Sequence, residues 1–254
     1  MVTAQRRGLL LAIFMGAGLH APTAGAADLV RVDYPGFTLW LDCAQRGAVL
    51  ARYQLALDTG NIDTKHGFRL DEDHRDCQQA STSTYRRPKD AGDKYDRGHI
   101  VPANHLDDDE EAYRASYFMT NVVPQHRKLN RKGGAWRKTE DLIECWREEG
   151  PLEIWIGVLW GTDEANDHFV RSHGIATPDA FVKLVYRPGL DGEEGKAIAW
   201  RLSNRFIPDE TLMEESVAPG KVEKEIGRVL NLPGVDKTRK ANPADWRDAT
   251  NCDP

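Results

Sequence analysis

Apolar residues cluster along this chain in short runs that change period from two to nearly four and back. Phe37 to Leu41 and Val49 to Leu57 are rich in apolar and β-branched residues, and Gly60-Asn61 follows the second run as a turn signal, so the two predict paired strands forming a hairpin. Ile100-Val101-Pro102 predicts a short extended piece, because Pro102 excludes helical geometry at Val101. Asp109 to Phe118 predicts a helix and Met119 to Val123 a strand. From Trp136 the apolar positions 136, 142, 143 and 146 share one helical face, and Gly150-Pro151 stops that helix. Three further strands are predicted at Leu152 to Trp160, Ala180 to Tyr186 and Lys196 to Leu202. Helices and strands follow one another without regular alternation, which gives an α+β fold class.

The first 26 residues have a different pattern. Arg6 and Arg7 precede the apolar stretch Gly8 to Leu19, and Ala24-Gly25-Ala26 has the small-x-small form of a signal-peptidase site. A stretch of about twelve residues falls short of the roughly 20 that a membrane-spanning helix needs. The expectation is therefore a signal peptide over 1–26, cleavage after Ala26, no stable membrane insertion afterwards, and an exported protein in the periplasm or outside the cell. Residues 27–254 show no linker or internal repeat and are read as a single domain. Four cysteines, Cys43, Cys77, Cys145 and Cys252, contain no C-x-x-C pair. In an oxidising compartment they form two disulfides, with all three pairings open.

Net charge is -6 for the whole chain, and the loss of Arg6 and Arg7 takes it to 32 minus 40, or -8. That sum suits a polyanion's partner poorly, but distribution matters more than the total. Arg127, Lys128, Arg131, Lys132, Arg137 and Lys138 fall between His126 and Lys138 with no acid among them. Such a run is either a solvated face or a strip for phosphates. The acidic run Asp107 to Glu111 is read as a solvated loop or helix start.

Candidate chemistry begins at Asp96-Arg97-Gly98-His99 and continues through Asn121-Val122-Val123-Pro124-Gln125 to Asn130. A histidine can take a proton from water near neutral pH, an arginine can hold a phosphate through two parallel hydrogen bonds, and an amide oxygen suits a hard cation. These are the parts that phosphodiester hydrolysis needs. A zinc site from His99, His105 and His126 is disfavoured, because no pair of them has zinc-motif spacing.

The ordered set Asp96 to His99, Met119 to Gln125, Leu129-Asn130-Arg131, Trp136 and Thr139-Glu140 resembles the DNA/RNA non-specific endonuclease family. Later strand segments extend the resemblance over most of 37 to 206. It implies a ββα-metal, or His-Me finger, fold with a mixed, largely antiparallel sheet flanked by helices. It further implies an Mg2+-dependent endonuclease, with Mn2+ as the alternative ion, that cleaves DNA and RNA to 5'-phosphate ends. By the same resemblance His99 matches the general base, Arg97 a phosphate contact, Asn121 a polar residue supporting the site, Asn130 the direct metal ligand, and Glu140 an acid holding the metal's water shell. Arg97, Arg127, Lys128, Arg131, Lys132 and Arg137 are the expected nucleic-acid contacts. The family's upstream catalytic arginine has four candidates here, Arg69, Arg75, Arg86 and Arg87. Competing readings are an exported nucleic-acid-binding protein without turnover and a phosphodiesterase acting on small nucleotides. An inhibitor protein and the oligomeric state are not defined by the sequence.

One departure from the family pattern has a geometric consequence. Trp136 and Glu140 lie six and ten residues after Asn130, where the family spacing is four and eight. At about 100° per residue, eight steps and ten steps leave the pair about 80° apart in opposite senses. A continuous helix from Asn130 would therefore misdirect Glu140. Gly133-Gly134 predicts that the two extra residues bulge and that the helix begins near Ala135.

Overall fold

The computed structural model describes residues 29–63, 66–88, 91–190 and 192–246. The expected signal peptide and Cys252 lie outside the described residues. Among the described residues no helix is long and apolar enough to cross a membrane.

Six strands form one antiparallel sheet: β1 (Val30–Tyr34), β2 (Phe37–Asp42), β3 (Gly47–Leu55), β6 (Leu152–Leu159), β7 (Ala180–Arg187) and β8 (Lys196–Ser203), in that spatial order. A separate two-stranded ribbon pairs β4 (Tyr95–His99) with β5 (Val122–His126). The helices are α1 (Glu110–Ala115), α2 (Arg127–Asn130), α3 (Ala135–Arg147), α4 (Val170–His173) and α5 (Pro219–Ile226). An antiparallel sheet flanked by helices, with a separate β4–β5 ribbon running into α2, matches the expected α+β architecture.

Neighbours on both sides, β6 and β8, and a core on each face explain why β7 is buried along its whole length. Side chains alternate faces on a strand, so Phe181 and Val185 join the main core while Val182, Leu184 and Tyr186 join the smaller core on the opposite face. The main-core face receives α3: the Trp136 ring lies 5.0 Å from Phe181, and Trp146 stacks 6.1 Å from Trp200 on β8. The smaller core includes Val222 of α5. Lys183 shares the α3 face with Phe181 and Val185, a charge placed in apolar surroundings with consequences for Glu140.

Several boundaries differ from the sequence expectations for identifiable reasons. The second hairpin strand ends at Leu55 rather than Leu57. The helix expected over 109–118 stops at Ala115; Asp109 caps its start by accepting from Ala112 N at 2.8 Å, and Asn121 Nδ2 donates to the Ser116 carbonyl at 2.9 Å just past its end. The strand expected from Met119 begins only at Val122, because Met119–Asn121 forms a 3-10 turn that turns Asn121 inward. Strand β1 has no counterpart among the expected elements, although Val30, Val32 and Tyr34 alternate with polar residues. Cys43 and Cys77 are joined by a disulfide, and Cys145 is disulfide-bonded as well.

The break before α3 occurs where the two-residue insertion predicts it. α2 ends at Asn130 and α3 starts at Ala135. Gly133 has φ +86°, and a Cβ on Gly134 would sit 2.1 Å from the Lys128 carbonyl oxygen, so both positions require glycine for different reasons. The bulge is tied down by Ala135 N donating to Ile207 O at 2.9 Å and Asp209 N donating to Gly133 O at 3.2 Å.

Candidate active site

The β4–β5 ribbon and the α2 turn after it position the candidate residues. His99 ends β4 opposite Val122, and Gly98 lets the ribbon close on Gln125, whose Oε1 would lie 2.2 Å from an added Cβ. Beyond His99 the chain is fixed by Asn121. Its Oδ1 accepts from Val101 N, its Nδ2 donates to Val101 O and Ser116 O, all at 2.9 Å, and its own carbonyl accepts from Ile100 N at 2.9 Å. Asn121 is fully buried with both amide protons used. It is therefore a positioning residue for the segment after His99, with no access to a substrate.

His99 is half-buried between two aromatic rings, Phe68 with its centroid at 5.2 Å and Tyr117 edge-on at 5.1 Å. Burial, and secondarily the positive charge of Arg97, push its imidazole down to about 4. The ring is thus uncharged at neutral pH. Its Nε2 is buried without a hydrogen-bond partner among the described residues. Arg97 stacks its guanidinium 4.2 Å from the Phe68 ring and donates from one terminal nitrogen to Thr82 O at 2.7 Å. Phe68 thereby braces both Arg97 and His99.

Arg97 and Asn130 line a cleft of about 990 Å³ together with Phe68, Tyr95 and Asp96. Its other charged lining residues are Arg86, Arg87, Lys94, Arg127 and Arg131. Six cations against one carboxylate make this a site for anions despite the chain's negative total. The Asn130 side chain makes no hydrogen bond to the described residues, which leaves its amide oxygen available at the end of α2.

The structure divides the expected basic strip. Arg97, Arg127 and Arg131 line the cleft, whereas Lys128, Lys132 and Arg137 do not. Lys128 points its ammonium to 5.4 Å from the Phe206 ring, Lys132 is exposed, and Arg137 pairs with Asp141 at 2.6 Å. The glycine bulge lies between Arg131 and Arg137, and Arg137 beyond it is not among the cleft-lining residues.

Glu140 also departs from expectation. It lies in the core, accepts a hydrogen bond from Trp136 Nε1 at 2.7 Å, and is not among the cleft-lining residues. Burial raises its carboxyl and the Lys183 ammonium opposes that shift; burial in turn pulls Lys183 below the usual lysine value. Lys183 Nζ sits 3.7 Å from the Trp136 ring centroid and donates to Thr139 Oγ1 at 2.7 Å. Glu140 thus accepts from an indole N–H and feels the charge of a buried ammonium, and it acts as a core counter-charge.

Of the four upstream arginines, the cleft contains Arg86 and Arg87; Arg69 stacks on Phe118 at 4.2 Å and Arg75 pairs with Glu72. Sequence reasoning also missed Phe68 and Lys94, which come from irregular segments without a periodic signal. The three histidines considered for zinc have separate partners: His105 contacts Tyr53 and the Glu140 carbonyl, while His126 faces Asp93.

Comparison with known proteins adds an independent line. The family model described as DNA/RNA non-specific endonuclease matches residues 17–233. The mitochondrial nuclease EXOG of Xenopus laevis is 27% identical over 195 residues, 72% of this chain and 52% of that protein. Its Mus musculus counterpart is 25% identical over 192 residues, 71% of this chain and 50% of that protein. The chain thus spans about half the length of these curated relatives. A solved structure of the EndoG/EndoGI complex matches in fold with a TM-score of 0.59 at 18% identity, covering 79% of this chain and 84% of that one.

Proposed function

Since the chain belongs to the DNA/RNA non-specific endonuclease family, we propose that it hydrolyses phosphodiester bonds of DNA and RNA with His99 as general base. The observation that carries this reading is an uncharged histidine, braced with Arg97 on Phe68, beside a cleft lined by six cations. In the proposed reaction His99 takes a proton from water as its oxygen attacks phosphorus. The bond from phosphorus to the 3' oxygen breaks, the leaving 3' oxygen takes a proton from solvent, and the product carries a 5'-phosphate. Arg97 keeps guanidinium N–H groups beyond its bond to Thr82 O for the non-bridging phosphate oxygens.

The donor set suits a single hard cation. Among the described residues no three His, Cys, Asp or Glu side chains group to cage a metal, but Asn130 offers a neutral oxygen beside the cleft. Mg2+, which dehydrates reluctantly, is matched by one such ligand with water and phosphate oxygens completing its shell. A bound ion would supply charge neutralisation at the reacting phosphate. Contacts to phosphate carry no base information, so little sequence preference is expected. Export to the periplasm or cell exterior completes the reading; the Arg6-Arg7 leader pattern and the Cys43–Cys77 disulfide support it.

The test is cleavage of plasmid DNA and of RNA by the purified protein with Mg2+, with EDTA, and by His99→Ala. Loss of cleavage of both polymers on chelation and on substitution is the expected result. Tight binding without cleavage across several divalent ions would refute the catalytic reading.

A further inference from the structure

Asp96 is the one carboxylate among the cleft's lining residues, with its side chain only 14% exposed. It binds two arginines at once. Arg127 Nε donates to Oδ1 at 3.0 Å, and Arg131 donates from Nε to Oδ2 at 2.7 Å and from Nη2 to Oδ1 at 3.0 Å. Asp96 therefore grips Arg127 by the inner edge of its guanidinium. The two terminal nitrogens of Arg127, and Nη1 of Arg131, make no hydrogen bond to the described residues. The triad leaves a net positive charge at the cleft, where Arg86, Arg87 and Lys94 add three more.

The placement relative to the reacting group follows from α2. Arg127 and Asn130 are three residues apart, on one face of a single helical turn, and Arg131 N closes that turn on Arg127 O at 3.2 Å. Cβ atoms at that spacing are about 5–6 Å apart, the scale of one step along a nucleotide chain.

We infer that Arg127 and Arg131, held by Asp96, form a second phosphate subsite adjoining the one at Arg97 and Asn130. This rests on the proposed nuclease reading and narrows its substrate class: the preferred substrate is a strand with at least two successive phosphates, and a small isolated diester is a poor one. Asp96 is the positioning residue of the subsite. It sets the guanidinium planes before substrate arrives, which lowers the ordering cost of binding.

The experiment compares kcat/KM of the full chain on d(TpT) with that on the same dinucleotide carrying an added terminal phosphate, d(pTpT) or d(TpTp). One of the two phosphorylated forms should gain about tenfold or more, the effect of a single charge-assisted contact. In Arg127→Ala/Arg131→Ala, and in Arg127→Gln/Arg131→Gln, which retains hydrogen-bonding side chains toward Asp96, the ratio should fall to near one. Asp96→Asn should lower the ratio as well. An unchanged ratio in both double variants, or no gain in the unmodified protein, overturns the subsite; a higher ratio in Asp96→Asn overturns its anchoring by Asp96. Binding of a labelled oligonucleotide in EDTA supplies a readout free of turnover: the salt dependence of log K should flatten by about one per arginine removed, and an unaltered slope counts against the subsite. If the unmodified protein cleaves neither dinucleotide nor plasmid, the nuclease reading fails by itself, and the binding slope still decides the subsite.

Discussion

Replacing Glu140 by glutamine distinguishes a core counter-charge from a metal-shell acid. The substituted amide keeps an acceptor for Trp136 Nε1 but removes the charge opposing Lys183, which is fully buried and otherwise supported by Thr139 Oγ1 at 2.7 Å and the Trp136 ring at 3.7 Å. Breaking one side of a contacting buried ion pair costs about 3–5 kcal/mol, an upper bound here because Glu140 and Lys183 act on each other without a direct salt bridge, whereas replacing both partners with neutral groups of similar volume is close to neutral. The retained hydroxyl and indole contacts put Glu140→Gln near the lower figure, at about 3 kcal/mol. Lys183→Met, which leaves Glu140 with the indole N–H alone, should cost as much or more, and the double substitution should cost less than either single one. The assay is urea unfolding followed by tryptophan fluorescence, with m-values compared to confirm that only stability has changed. The Mg2+ concentration for half-maximal cleavage should be unaltered by Glu140→Gln. Single-variant effects that add within about 0.5 kcal/mol, or a stable Glu140→Gln protein with a weakened affinity for Mg2+, would refute the core role.

Three other perturbations have defined signs. An imidazole at about 4 when folded and about 6.5 when unfolded keeps His99 competent as a base well below pH 6, so the acid limb of kcat/KM should lie near pH 4; a limb at 6.5 would mean that His99 is not held in its buried setting. The unfolded chain alone takes up this proton between pH 6.5 and 4, so stability should fall over that window by about 3 kcal/mol, and His99→Ala should flatten the loss in pH-dependent urea unfolding. Gly134→Ala drives a methyl to 2.1 Å from the Lys128 carbonyl oxygen, while Gly133→Ala meets open space but an unfavourable φ of +86°; the first should cost about 1–3 kcal/mol and the second about 1, with cleavage more affected by the first because Leu129 and Asn130 must shift. Cys43→Ser opens a crosslink with a sequence separation of 34, worth about 4 kcal/mol by chain entropy, so a melting temperature insensitive to this change would remove the disulfide from the account of stability.

What can be read from the sequence here, and what cannot, divides according to the range of the interactions involved. His99 and Arg97 are legible because they are two residues apart on one strand, and period-two geometry fixes their relation before any tertiary contact is known. The restart of the helix at Ala135, which keeps Asn130 at the end of its own turn, is legible because two adjacent glycines have strong local preferences. Glu140 is not. Its carboxylate shares the core with the charge of Lys183, 43 residues away on β7, and a lysine within an otherwise apolar strand gives no sign of which acid will lie near it. The same limit hides Phe68 and leaves Arg86 and Arg87 undistinguished from Arg69 and Arg75, because they reach the cleft from irregular chain whose path is set by contacts such as Arg46 Nε donating to Gln78 O at 2.9 Å and Ala80 N donating to His173 O at 2.7 Å. The basic run divides for a related reason: counting charges along a sequence treats Arg127 to Lys138 as a unit, whereas the bulge at Gly133-Gly134 breaks the helix between Arg131 and Arg137, and only Arg127 and Arg131 of the run line the cleft. The insertion that threatens the site on paper therefore leaves Asn130 at the end of its own turn, lining the same cleft as Arg97, and the helix that carries Glu140 restarts independently at Ala135.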